Sequence, residues 1–132
     1  MIKGIGHIGI AVKNIEEMVK RLTEALGLPM PLIKEIPERK MKVAVVTIGR
    51  TDIEFLEDYS DEGPLARNVN ERGNTIHHFA LLTDQIEADI EVLRGRGVKM
   101  VDPVAKIGLR GKRIAFIEAS LLDGIPIELS EP

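Results

Sequence analysis

Gly6-His7-Ile8-Gly9-Ile10-Ala11-Val12 and, further along the chain, Thr75-Ile76-His77-His78-Phe79-Ala80-Leu81-Leu82 each set a histidine among strand-forming neighbours. β-Branched and aromatic residues favour the pleated, half-buried backbone, so both runs are predicted strands. Each run leads into a helix start. In the first, Asn14 and Glu17 form a capping pair, Ile15, Met18, Leu22 and Leu26 make an apolar face, and Gly27 can end the helix. In the second, Asp84 and Glu87 repeat the pair, Ile86, Ile90 and Leu93 supply the stripe, and Gly97 stands where Gly27 stood.

The offsets agree. Asn14 and Asp84 are 70 positions apart, as are Gly27 and Gly97; His7 and His78 are 71 apart, Glu54 and Glu128 74. Modest loop insertions account for that drift, and agreement among caps, glycines, histidines and glutamates indicates an internal repeat. Strands are predicted at 32–34, 42–48 and 51–56 in the first half, and at 99–101, 113–118 and 125–129 in the second. Residues 64–72 read as a linking helix, with Pro64 tolerated in its first turn. The expected fold is therefore α+β, a single domain over 1–132 made of two β-α-β-β-β modules, about 3–60 and about 74–130. Either module alone is too small to bury much core. Two sheets folded against each other, with helices on their outer faces, would bury one face and leave a concave inner surface.

Alternation along a strand places His7 on one face with Ile5, Gly9 and Ala11, while Ile8, Ile10 and Val12 face a helix. His78 likewise shares a face with Ile76, Ala80 and Leu82, so each histidine has a small neighbour that leaves room. His77 is one residue out of register and is expected to point away. Glu54 lies between Ile53 and Phe55, and Glu128 between Ile127 and Leu129. A carboxylate in so apolar a strand is costly to bury without a partner. Two of them at matching repeat positions, beside two histidines, predict one shared divalent ion held by His7, Glu54, His78 and Glu128. Two imidazole nitrogens and two carboxylate oxygens suit Co²⁺, Mn²⁺, Ni²⁺, Fe²⁺ or Zn²⁺.

Composition narrows the remaining options. The 132 residues are 44% hydrophobic and 30% charged, with no cysteine, so thiolate ligands and disulfides are excluded. No apolar run approaches the roughly 20 residues that span a bilayer. The start, Met1-Ile2-Lys3-Gly4-Ile5, reads as a strand beginning and not as a signal peptide, which together with the absence of cysteine suits a cytoplasmic protein. A net charge of −3, with three phenylalanines and one tyrosine, gives no support for nucleic-acid binding. One basic cluster stands out: Lys106, Arg110, Lys112 and Arg113 lie close together with two glycines, suited either to phosphates of a small molecule or to a solvated loop.

Over essentially its whole length the chain resembles the vicinal-oxygen-chelate, or glyoxalase-like, metalloenzymes. Within that superfamily it is most similar to the methylmalonyl-CoA epimerases. The likeness rests on His7-Ile8-Gly9-Ile10-Ala11-Val12, Pro37-Glu38, Thr51-Asp52-Ile53-Glu54-Phe55-Leu56 and Gly63-Pro64-Leu65-Ala66. It continues through His77-His78-Phe79-Ala80-Leu81, Gly111-Lys112-Arg113-Ile114-Ala115-Phe116 and Ile127-Glu128-Leu129. The resemblance implies the paired-module fold, an acyl-CoA substrate, a divalent ion with Co²⁺ foremost, a homodimer, and interconversion of (2R)- and (2S)-methylmalonyl-CoA. It assigns metal ligation to His7, Glu54, His78 and Glu128 and proton transfer to Glu128. Such enzymes need a second proton carrier, and the position where a further glutamate is expected holds Val43. Glu54 is the first replacement, with Glu35 or Glu38 approaching from the adjoining turn. A histidine-proline-lysine segment common in such enzymes is replaced by Ile117-Glu118-Ala119-Ser120.

Glyoxalase I offers the same scaffold and a similar ligand set, and a small-molecule-binding relative offers the scaffold without catalysis. Extradiol dioxygenases need only two histidines and one carboxylate for Fe²⁺. A fourth ligand and the short chain argue against that class.

Overall fold

A computed structural model describes residues 2–132, so the predicted beginning of the first strand at Met1 lies outside the described residues. Strand β1 (Ile2–Ala11) leads to helix α1 (Ile15–Leu26), then β2 (Ile33–Ile36), β3 (Met41–Ile48), β4 (Thr51–Asp58) and the linking helix α2 (Pro64–Arg72). The second passage runs through β5 (Thr75–Thr83), α3 (Ile86–Gly95), β6 (Lys106–Ile107), β7 (Arg113–Ile117) and β8 (Ile127–Ser130). Antiparallel pairing joins β2, β3 and β4 in that order; in the second passage β5 pairs parallel with β8, which pairs antiparallel with β7, and β7 pairs antiparallel with β6. Two compact units divide the chain: Gly9–Ile76, and residues 2–8 together with His77–Pro132.

In the unit Gly9–Ile76, the Asn14 side chain accepts from the Glu17 amide at 3.0 Å, and Gly27 takes the left-handed conformation at φ 67° that ends α1. The Glu17 carboxylate pairs with Arg21 one turn on, so only the Asn14 half of the predicted capping pair forms a cap. Helix α1 buries Ile15 and Val19, not the full predicted row: Leu26, in the last turn, stands 57% exposed. Its buried face meets Ala44, Val46 and Phe55 of the antiparallel pair β3–β4. Burying one such aliphatic side chain stabilises by roughly 1.5–3 kcal/mol, which propensity alone cannot match. Helix α2 starts on Gly63 and Pro64, and the Asp58 carboxylate accepts from the Ala66 amide in place of a capping side chain.

The other unit repeats this plan with different local devices. Helix α3 places Ile86 and Ile90 against Ala115, Ile117, Ile127 and Leu129, with Leu93 packed on their edge. Asp84 does not cap it. Lys3 draws that carboxylate away at 2.8 Å, and the residue before the helix, Gln85, offers no capping side chain. Thr83 compensates by accepting from the Gln85 amide and donating to Asp89. The strand predicted at 99–101 reduces to a single bridge between Met100 and Ile117. Hairpin β6–β7 replaces it, turning at Gly108 to Gly111. There a Cβ at Gly108 would lie 2.8 Å from Ile114 Cδ1, so a larger residue would push that side chain aside.

Candidate metal centre

β1 and β5 alternate as their sequences predict: His7, Gly9 and Ala11 are buried on one side of β1, His78 and Ala80 on one side of β5. Parallel pairing sets Ala80 opposite Glu128, and antiparallel pairing sets Phe116 opposite Glu128 and Lys106 opposite Ile114. Partners directly opposite in a ladder share a face. His78, Glu128, Phe116 and Lys106 therefore project to the side away from α3, whereas Arg113, Ala115 and Ile117 face that helix.

His7 Nε2 lies 3.1 Å from His78 Nε2, and each of these nitrogens lies 3.5 Å from one oxygen of Glu128. The residues His7, Glu54, His78 and Glu128 are each at most 5% exposed. The spacing suits an ion. Donors at roughly 2.1 Å from a metal, held at tetrahedral or octahedral angles, are about 3.0–3.4 Å apart. The chemistry of the donors agrees. Facing Nε2 atoms repel each other as lone pairs unless a proton or a cation lies between them. Burial, and then the neighbouring His77 and His7 rings, hold the His78 imidazole down to about 3, so it stays neutral with a lone pair to give. A buried His-Glu-His set able to chelate a divalent ion is thus present.

Glu54 sits in β4 opposite Val45, on the face of the β3–β4 pair away from α1, with Val43 opposite Leu56 beside it. Val43 is 4% exposed, so the position where the resemblance expects a glutamate is part of an apolar wall. Glu35 does not approach that face. It pairs with Lys42 across β2–β3, on the α1 side, and accepts from the Tyr59 hydroxyl at 2.7 Å. Glu38 is exposed in the turn Pro37–Arg39.

The basic cluster divides. Arg110 and Lys112 lie at the β6–β7 turn, while Arg113 pairs with Glu87 of α3 and with Glu131. Lys106 lies 5.9 Å from the Phe116 ring centre and pairs with Asp102 at 3.1 Å. Asp102 also accepts from the Phe116 amide at 2.8 Å, fixing cation and ring together. Phe116 in turn meets His78 edge to face at 5.4 Å. Sequence reasoning used Phe116 only as part of a motif. Its parity with Glu128 across a hairpin was the available signal, but the register needed to read it comes from the hydrogen-bond ladder. His77, expected to point away, brings Nδ1 to 2.9 Å from His78 Nδ1.

Known proteins share this fold. The chain is 28% identical to the mitochondrial methylmalonyl-CoA epimerase of Dictyostelium discoideum, over 97% of this chain and 80% of that protein. A hypothetical protein from Bacillus halodurans has a similar structure, with TM-score 0.89 and 33% identity over 97% of this chain and 93% of its own. The methylmalonyl-CoA epimerase of Mycobacterium tuberculosis superposes with TM-score 0.90 at 25% identity, covering 99% and 89% of the two chains. Residues 6–116 match the model of a single family, and the chain belongs to the Glyoxalase/Bleomycin resistance protein/Dioxygenase superfamily.

Proposed function

We propose that this chain is a metal-dependent epimerase that interconverts (2R)- and (2S)-methylmalonyl-CoA. The observation that carries the proposal is the buried trio of His7, His78 and Glu128 in a chain whose relatives include methylmalonyl-CoA epimerases. His7, Glu54, His78 and Glu128 hold the ion, for which Co²⁺ is our first candidate. When bound, it supplies electrophilic stabilisation of the negative charge that develops as the C2 proton leaves.

Epimerisation needs one group to take a proton from C2 and another to return one to the opposite face. Glu128 takes one role through a carboxylate oxygen, and Glu54 takes the other. Two features support Glu54: Val43 cannot carry a proton, and Glu35 is engaged by Tyr59 on the far side of its sheet. The apolar flanks of Glu54 exclude water from the proton it carries. We assign the anionic end of the acyl-CoA to Lys106, Arg110, Lys112 and Arg113; Arg113 comes last, since Glu87 and Glu131 already hold it. A homodimer and a cytoplasmic location complete the reading. Among the described residues, no helix is long and apolar enough to cross a membrane.

The deciding experiment is exchange of the substrate C2 proton with deuterated solvent, with and without added Co²⁺. Metal-dependent exchange together with inversion supports the proposal. Turnover of the methylglyoxal–glutathione hemithioacetal without any C2 exchange would replace it with a glyoxalase I reading. Neither activity, in a chain that binds small molecules, would point to a non-catalytic relative.

A further inference from the structure

His77 and His78 are adjacent in β5, and alternation should turn their side chains to opposite faces. Instead the two Nδ1 atoms are 2.9 Å apart, with the rings edge to face at 5.1 Å. Two nitrogens at that distance share one proton: one ring donates and the other accepts. The opposite nitrogen of His78, Nε2, is the atom that faces His7 and Glu128. The tautomer of His78 therefore decides what the centre receives. With the proton on Nδ1, His78 offers a lone pair at Nε2. With the proton on Nε2, it offers an N–H and no ligand atom.

We infer that His77 is a positioning residue which accepts from His78 Nδ1–H and thereby keeps the His78 Nε2 lone pair turned to the metal. This rests on the metal reading given above and names a side chain outside the ligand set. It requires His77 to carry its own proton on Nε2, leaving Nδ1 free to accept. A partner of this kind fixes ring orientation as well as tautomer, and loss of such a partner typically costs about 10- to 100-fold in metal affinity. His7 has no adjacent histidine in the sequence, so the device belongs to the second half alone.

Two measurements test this. The first uses the unaltered, metal-free chain with ¹⁵N-labelled histidine: long-range ¹H–¹⁵N correlations should show His78 protonated at Nδ1 and His77 at Nε2. The reverse pattern would overturn the proposal without any variant. The second compares Co²⁺ affinity, by competition with a chelator, in the wild type, His77→Phe and His77→Asn. Phenylalanine keeps a planar ring but cannot accept; asparagine places an acceptor oxygen near the former Nδ1. We expect His77→Phe to bind about 10- to 100-fold more weakly and His77→Asn to return to within about threefold of the wild type. Equal affinity in a folded His77→Phe protein, or no recovery in a folded His77→Asn protein, would sink the idea. A wild-type chain that binds no Co²⁺, Mn²⁺, Ni²⁺ or Zn²⁺ fails differently, since it removes the metal reading on which the role rests.

Discussion

Glu54 and Glu128 occupy equivalent places in the repeat, yet their own strands give them different neighbours. Glu54 lies among Val43, Val45 and Leu56, with Asp52 and Asp58 further along the same face of β4. Glu128 lies among Ala80, Phe116 and His78, with Lys106 further along the same face. The repeat has kept the donor atoms an ion needs, and it has let the surroundings of each carboxylate diverge.

The largest effect expected from breaking this comparison is on catalysis. Glu128→Gln should lower epimerisation by about 10²–10⁴-fold, the range for loss of a general acid or base. Glu54→Gln keeps an oxygen ligand but carries no proton. It should abolish inversion while proton washout from one epimer continues, and Co²⁺ should still bind. Following C2 deuterium incorporation separately from each epimer distinguishes the two. Equal washout from both epimers by Glu54→Gln would show that Glu54 is a ligand only.

Next comes the packing of the two helices. Ile15 and Ile86 are each 0% exposed and hold α1 and α3 to their sheets. Replacement by alanine should destabilise by about 2–5 kcal/mol in either case, read from urea unfolding. A clear inequality would show that one unit contributes more to stability than the other.

The pH response should be smaller and should come from the second half. Burial lowers both His77 and His78 from the usual histidine value near 6.5, His78 to about 3. Between about 3 and 6.5 the unfolded chain binds a proton at His78 that the folded chain refuses. Stability conferred by this residue is therefore present above 6.5 and declines as pH falls through that window. Urea midpoints of the metal-free protein at pH 7 and pH 5 should differ in that direction, and His78→Phe should reduce the difference. An unchanged gap in the variant would assign the effect elsewhere.

The smallest contrast is at the helix starts. Asn14→Ala should cost about 1 kcal/mol, because the Glu17 amide loses its acceptor. Gln85→Ala, at the equivalent point of α3, should cost only a few tenths, as Gln85 makes no capping bond. Similar losses at both positions in the same unfolding assay would contradict the difference in capping.

The spacing of His7, His78, Glu54 and Glu128 was enough to foresee a repeat and four buried polar residues, because that information is local: strand parity and neighbours of known polarity. What escaped was decided by partners distant in sequence. Asp84 has the sequence of a cap, but Lys3 competes for its carboxylate. The segment 99–101 has strand-forming residues, but its backbone bonding is limited to a bridge at Met100 and bonds onto Phe116 and Glu118. Arg113 belongs by sequence to a basic run, yet strand parity turns it to α3, where Glu87 waits. The sequence of β5 gives the side on which His77 begins but not the ring orientation that returns Nδ1 to His78.

Strand β1 has a consequence for how the chain can be taken apart. The compact unit that contains His78 and Glu128 also includes residues 2–8, and so His7, although the rest of it starts at His77. A cut near Gly73, between α2 and β5, would fall at the apparent seam of the repeat and yet strand one imidazole on the wrong fragment. Neither piece would then hold the full set of donors. On the proposed metal reading, binding of a divalent ion would become a readout of reassembly, a split reporter whose signal is the ion itself.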